Sequence, residues 1–270
     1  MTVRKLQQKR GWAWNLAVPV IKPLLLATTT REWVGGENIP DSGGFILALN
    51  HVSHVDPLTA AHLVYDHGRL PRYLAKSGLF KTRAGAFFFT AAGQIPVERL
   101  SANAAGAYDA AVAAVRRGEC VVVYPEGTIT RDPGGWPMTG KSGAARIALA
   151  TGCPVIPVGQ WGAQQLLAPY AKKPDLFPRK RIQMLVGPPV DLADLLDQPQ
   201  SIALVQQATD RIMAAITALV EEVRGETAPA ERFDMRKAGV RQTGNPNKDP
   251  NGPRRPSSRR PRKQASEESA

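Results

Sequence analysis

Cysteine is almost missing from this chain of 270 residues, aromatic residues make up only 6% of it, and no apolar run of membrane-spanning length goes uninterrupted. The two cysteines, Cys120 and Cys153, give neither a metal-ligand spacing nor a disulfide framework. Both fall in apolar strand-like runs and read as reduced and buried, as in cytoplasm. No His/Cys/Asp/Glu cluster has the spacing of a metal site, so no metal is expected. There is also no G-x-S-x-G elbow, and neither cysteine has a base near it in sequence, which argues against a covalent intermediate on serine or cysteine. Acidic residues are in deficit, 23 against 35 Lys and Arg. The net charge of +12 points to anionic partners: phospholipid surfaces, phosphorylated substrates or nucleic acid.

What is present falls into three parts. Residues 1–32 open with Arg4, Lys5, Lys9 and Arg10 and continue as an apolar stretch carrying Trp12 and Trp14. Asn15, Pro19, Lys22 and Pro23 break that stretch, so a pair of interfacial helices on a membrane surface is expected rather than a span. Residues 226–270 hold eleven basic and six acidic residues and few apolar ones. Such a tail buries too little surface to offset its ordering entropy and is expected to be disordered. Its one aromatic residue, Phe233, provides no stacking platform, which argues against nucleic acid.

Between them, over residues 33–225, strand-like runs alternate with helical stretches. Strands are expected at 45–49, 72–75, 94–97, 120–124, 155–158 and 181–186, and helices at 57–65, 103–117, 142–150 and 201–223. The pattern predicts one α/β domain, a central mixed sheet flanked by helices.

The chemistry gathers where apolar runs end. Asn50-His51-Val52-Ser53-His54-Val55-Asp56-Pro57 follows the run Phe45 to Leu49. An imidazole held by a carboxylate can take a proton near neutral pH. Five residues on one helix would set His51 and Asp56 about 140° apart, so they meet only if the chain turns between them. The proline after Asp56 supplies that turn, with Asp56 expected to cap a helix starting at Pro57. By spacing alone the pair reads first as a cap aspartate beside a loop histidine. His54, His62 and His67 read as structural or exposed.

Gly93-Gln94-Ile95-Pro96-Val97-Glu98-Arg99 ends a short strand in an arginine, whose fork of donors suits a phosphate monoester. Cys120 to Tyr124 runs into Pro125-Glu126-Gly127-Thr128, where Glu126 is placed to bind a hydroxyl and Gly127 permits close backbone approach. Gly135 to Ser142 also matches the P-loop pattern letter by letter. Its context is wrong: Ile129 to Gly134 intervene after the Pro125 to Thr128 turn, and Pro137 removes one of the N–H groups such a loop must present.

Taken together and in order, these blocks resemble the 1-acyl-glycerol-3-phosphate acyltransferase family, from about Gly36 to Pro189. The resemblance rests on N-H-x(4)-D at Asn50 to Asp56, G-x-I-P-V-x-R at Gly93 to Arg99, P-E-G-T at Pro125 to Thr128 and V-I-P-V at Val155 to Val158. It implies that His51, oriented by Asp56, deprotonates the free hydroxyl of a lysophosphatidate as it attacks an acyl thioester, acyl-CoA or acyl-carrier protein. It further implies that Arg99 holds the phosphate and that Glu126, Gly127 and Thr128 shape the glycerol site. No cofactor beyond the thioester co-substrate is implied. The expected location is the cytoplasmic face of the cell membrane, peripheral or monotopic. In one respect the chain departs from the family: arginine commonly follows E-G-T, whereas here Ile129 does, leaving Arg131 and Lys141 as candidates for the remaining phosphate contact. Glycerol 3-phosphate or another lysolipid as acceptor, and a non-catalytic basic protein on membranes or nucleic acid, are the alternatives.

Overall fold

The computed structural model describes residues 3–6, 8–97, 104–199, 201–242 and 244–245. In chain order the elements are α1 (Trp12–Thr28), β1 (Thr29–Val34), β2 (Phe45–Leu49), α2 (Asp56–Asp66), β3 (Pro71–Lys76), α3 (Arg83–Ala91), β4 (Ile95–Val97) and α4 (Ala104–Arg116). There follow β5 (Cys120–Val123), α5 (Gly143–Thr151), β6 (Val155–Trp161), α6 (Ala163–Leu166), β7 (Lys180–Val186), α7 (Ala193–Leu196) and α8 (Ile202–Arg224).

The strands form one seven-stranded sheet in the order β1-β7-β6-β2-β5-β3-β4. Only β6 and β7 pair antiparallel; every other neighbouring pair is parallel, so the sheet is mixed, as expected. Central strands are covered on both faces, which is why β2 and β5 are apolar at every position. Ile46 and Ala48 of β2 face a core built with α4, α5 and α8. Phe45, Leu47 and Leu49 face a second core with α2. On the first face α8 lies so close to β6 that a Cβ on Gly159 would stand 2.6 Å from the Leu219 backbone, a contact only glycine admits.

Register places the site. Ala48 pairs with Val123 and Leu49 with Val158, so β2 and β5 end side by side and the loops that leave them emerge together. Open α/β sheets place their ligands at this edge.

Three expectations about the ends of the chain need adjustment. Residues 12–28 form one helix, not two; Pro19 and Pro23 lie inside it. The boundary at residue 32 falls within β1, which pairs along its whole length with β7 and therefore belongs to the domain. The expectation of disorder from Glu226 onward does not hold for its first part. The Phe233 carbonyl accepts a hydrogen bond from Thr139 N at 3.1 Å, and Met235 is buried. Those two apolar anchors are lost in the average composition of the tail, the rest of which, 246–270, lies outside the described residues.

Candidate active site

The loop after β2 wraps around a carboxylate. Asp56, fully buried, accepts through Oδ2 from Val52 N at 2.6 Å, Ser53 N at 2.8 Å and His51 Nδ1 at 2.7 Å. The expected cap geometry is corrected: Val55 is the N-cap and Asp56 is the first helical residue, with one oxygen making all three bonds. A carboxylate can only accept, so Nδ1 carries the imidazole proton and Nε2 of the neutral ring is left as the base. The His51 ring stacks on Tyr124 at 4.3 Å between centroids, which fixes its plane.

His51 is held from its backbone as well. Its N–H donates to Glu126 Oε1 at 2.8 Å, and its carbonyl accepts from Thr130 N at 2.8 Å. Glu126 Oε2 accepts in turn from Met138 N at 3.1 Å. Glu126, expected to bind a hydroxyl, is a buried brace between two loops, and burial pushes its carboxyl up to about 8. Asn50 adds a second brace: it exchanges three hydrogen bonds with Gln160, tying the end of β2 to β6.

The other proposed site residues separate. Gly127 is left-handed, at φ 71°, and the Lys141 side chain lies over it, 3.0 Å from where a Cβ would stand. Thr128 reaches the Tyr170 hydroxyl at 3.2 Å. Arg131 is buried, its guanidinium donating to the Gly244 carbonyl at 2.7 Å and lying 4.6 Å over the Tyr170 ring. It is drawn into packing, whereas Lys141 is exposed beside the loop. Arg99 lies outside the described residues. His62 and His67 are buried and structural, as expected: His62 faces Asp66, and His67 Nδ1 donates to the Leu63 carbonyl.

The P-loop match is spoken for in the same way. Trp136 N donates to Asp132, Met138 N to Glu126, Thr139 N to Phe233 and Lys141 N to Pro125, so the amides a phosphate would need already have acceptors.

Two features were not legible in the sequence. One is a cavity of about 310 Å³ on the far side of His51, between α1, α2, β3 and α3. Its wall along α2 is Pro57, Leu58, Ala61, His62 and Tyr65, one helical face about 12 Å long, with His51 and Tyr124 at its start. Ala13, Ala17, Val18, Ile21 and Leu25 of α1 close it from the other side. The second feature is Tyr170, at φ 62°, whose ring meets His54 edge-on at 5.4 Å while Ser53 Oγ donates to the Leu167 carbonyl at 2.7 Å. The segment 167–170 is thereby strapped across the polar side of the loop after β2.

The model of a family described as acyltransferase matches residues 31–161. A 1-acyl-sn-glycerol-3-phosphate acyltransferase of Bacillus subtilis (strain 168) is 26% identical over 191 residues, covering 70% of this chain and 83% of the relative. One of the same name from Borreliella burgdorferi is 33% identical over 125 residues, 46% of this chain and 48% of its own length. Among solved structures, the 1-acyl-sn-glycerophosphate (LPA) acyltransferase from Thermotoga maritima superposes with a TM-score of 0.54 at 22% identity, covering 78% of this chain and 82% of that one, a likeness of fold.

Proposed function

We propose that the chain, which the acyltransferase family model matches over residues 31–161, moves a fatty acyl group from a thioester to the free hydroxyl of 1-acyl-glycerol 3-phosphate, giving phosphatidate. The single observation that carries the reading is an imidazole oriented by a buried carboxylate at the mouth of an apolar cavity. His51 Nε2 takes the hydroxyl proton as the oxygen attacks the thioester carbonyl; the adduct then collapses, the C–S bond breaks, and the thiolate leaves and takes up a proton. A thiolate leaves readily, so positioning and one base suffice without an acyl-enzyme or a cofactor.

In this reading the cavity receives an acyl chain, gaining about 0.8 kcal/mol for each methylene taken from water. The acceptor's polar end lies on the opposite side of His51, near Thr128, Tyr170 and Lys141. Arg99 remains the proposed phosphate ligand on sequence grounds. Among the described residues no helix is long and apolar enough to cross a membrane. The outer face of α1 exposes Trp12, Leu16, Val20 and Leu24 at four-residue spacing, which supports peripheral attachment to a phospholipid surface, on the cytoplasmic side.

The test is thiol release from a panel of acyl-CoAs and acyl-carrier proteins with lysophosphatidate, glycerol 3-phosphate and lysolipids lacking a phosphomonoester. Lysophosphatidate is expected to be the best acceptor, with His51→Ala slower by about 10²–10⁴-fold at unchanged fold. Residual activity of that variant within tenfold of wild type would remove His51 as the base.

A further inference from the structure

Beyond α1, one loop has the makings of a lipid contact. Between Tyr170 and β7 every residue from Ala171 to Arg179 is exposed. The loop presents Phe177, 69% exposed, and Leu176 next to Lys172 and Lys173. An exposed ring and leucine beside two exposed lysines have the composition of an interfacial lipid contact. Asp175 is turned back onto Lys180 at 3.1 Å, and Arg181 pairs with Glu32, so those acids are matched within the protein. Lys172 and Lys173 make no ion pair among the described residues.

Position ties the loop to α1. Arg179 Nη2 donates to the carbonyls of Leu26 at 2.8 Å and Thr29 at 2.6 Å, the last turn of that helix, and Thr29 pairs with Lys180 in the sheet. The base of the loop thus sits against the C-terminal end of α1. At the other end of that helix Trp12 stacks on the exposed Phe87 of α3 at 4.8 Å. Exposed basic side chains flank exposed aromatic rings in both places: Lys9 and Arg10 precede Trp12, and Lys172 and Lys173 precede Phe177.

We propose that the loop 171–179 is a second membrane contact, in which Phe177 and Leu176 enter the interface of a bilayer while Lys172 and Lys173 read anionic headgroups. Two separated contacts, unlike one helix free to roll, fix how the protein sits on the surface and so which way the cavity faces. The inference rests on the reading of α1 as a membrane-surface helix.

The experiment is sedimentation of the full chain with vesicles of phosphatidylcholine alone or mixed with phosphatidylglycerol. Lys172→Glu/Lys173→Glu is expected to weaken binding to the anionic vesicles at least tenfold and leave binding to phosphatidylcholine alone within twofold. Phe177→Asp should weaken both. Turnover of short-chain, water-soluble substrates without vesicles should match wild type in both variants, which also reports that they fold. Wild-type binding that both variants retain would overturn the loop's role and leave α1 standing. Absence of wild-type binding to either vesicle would overturn both, and loss of soluble turnover in step with binding would assign the loop to the active site instead.

Discussion

His51 stands between two regions built on opposite principles. On one side the cavity along α2 is lined by alanine, leucine, isoleucine and phenylalanine. On the other, the loops after β2 and β5 are knitted together by the bonds from His51 N to Glu126 and from Thr130 N to the His51 carbonyl, while Asn50 and Gln160 tie β2 to β6. An apolar wall suits a chain by excluding water and admits many lengths, whereas hydrogen-bonded loops fix groups in one geometry. A base between them can serve a substrate that is itself half oil and half salt, and each region should fail in its own way when altered.

The sharpest break is at the hinge between the two. Asp56→Asn keeps the size and, through its one oxygen, the bonds from Val52, Ser53 and His51 Nδ1, but loses the charge that would stabilise the imidazolium formed as Nε2 takes a proton. That support is gone in the transition state, and kcat should fall by about 10²-fold with little change in either KM, read by thiol release at saturating substrates. A drop of less than threefold would show that the carboxylate's charge does not support a base at His51.

The apolar side should fail by length. Ala61→Phe puts a ring into the cavity wall one turn beyond Pro57. Long acyl donors are expected to lose about tenfold in kcat/KM while the shortest are hardly affected, because each excluded methylene forfeits roughly 0.8 kcal/mol. A uniform loss across the acyl-CoA series would mean that the acyl chain lies elsewhere.

The brace on the polar side carries a pH signature. Burial holds the Glu126 carboxyl at about 8, above its ordinary value, so the folded chain keeps a proton that the unfolded chain releases. The resulting stability is full below the unfolded value of about 4.3 and is lost as pH rises toward 8, by roughly 1 kcal/mol per pH unit. Glu126→Gln cannot ionise and should flatten that slope in urea unfolding at pH 5, 6, 7 and 8. An unchanged slope would place the titration on another group.

Much of this was legible before any coordinates. The six strands expected from apolar runs are all present, most plainly β2, β5 and β6, whose burial on both faces leaves them apolar almost throughout. The missed edge strand β1, Thr29–Val34, has only one buried residue and a polar register that shows no alternation. His51 and Asp56 were readable as a pair because a proline forces the turn, but the triple use of one Asp56 oxygen was not. Glu126 was read as a ligand since an acid at a strand end normally faces solvent. What turns it inward is a pair of backbone amides, His51 and Met138, that no sequence pattern pairs with it. The cavity was invisible for a similar reason: its walls come from four elements whose apolar faces look like ordinary core until the packing leaves a gap.

The smallest effect separates the two regions most cleanly. Tyr170 lies beyond the span matched by the family model, holds a left-handed backbone that disfavours its side chain, and touches Thr128, Arg131 and His54 at once. Tyr170→Phe removes one hydroxyl and keeps the ring that supports Arg131 and His54. If the polar side seats the acceptor's headgroup, the loss of that hydroxyl bond, about 1 kcal/mol, should raise the KM for lysophosphatidate about fivefold and leave the KM for acyl-CoA as it was. If the hydroxyl serves only to hold its own strap in place, both constants and the thermal midpoint should move together. The division of labour across His51 stands or falls on whether one KM moves without the other.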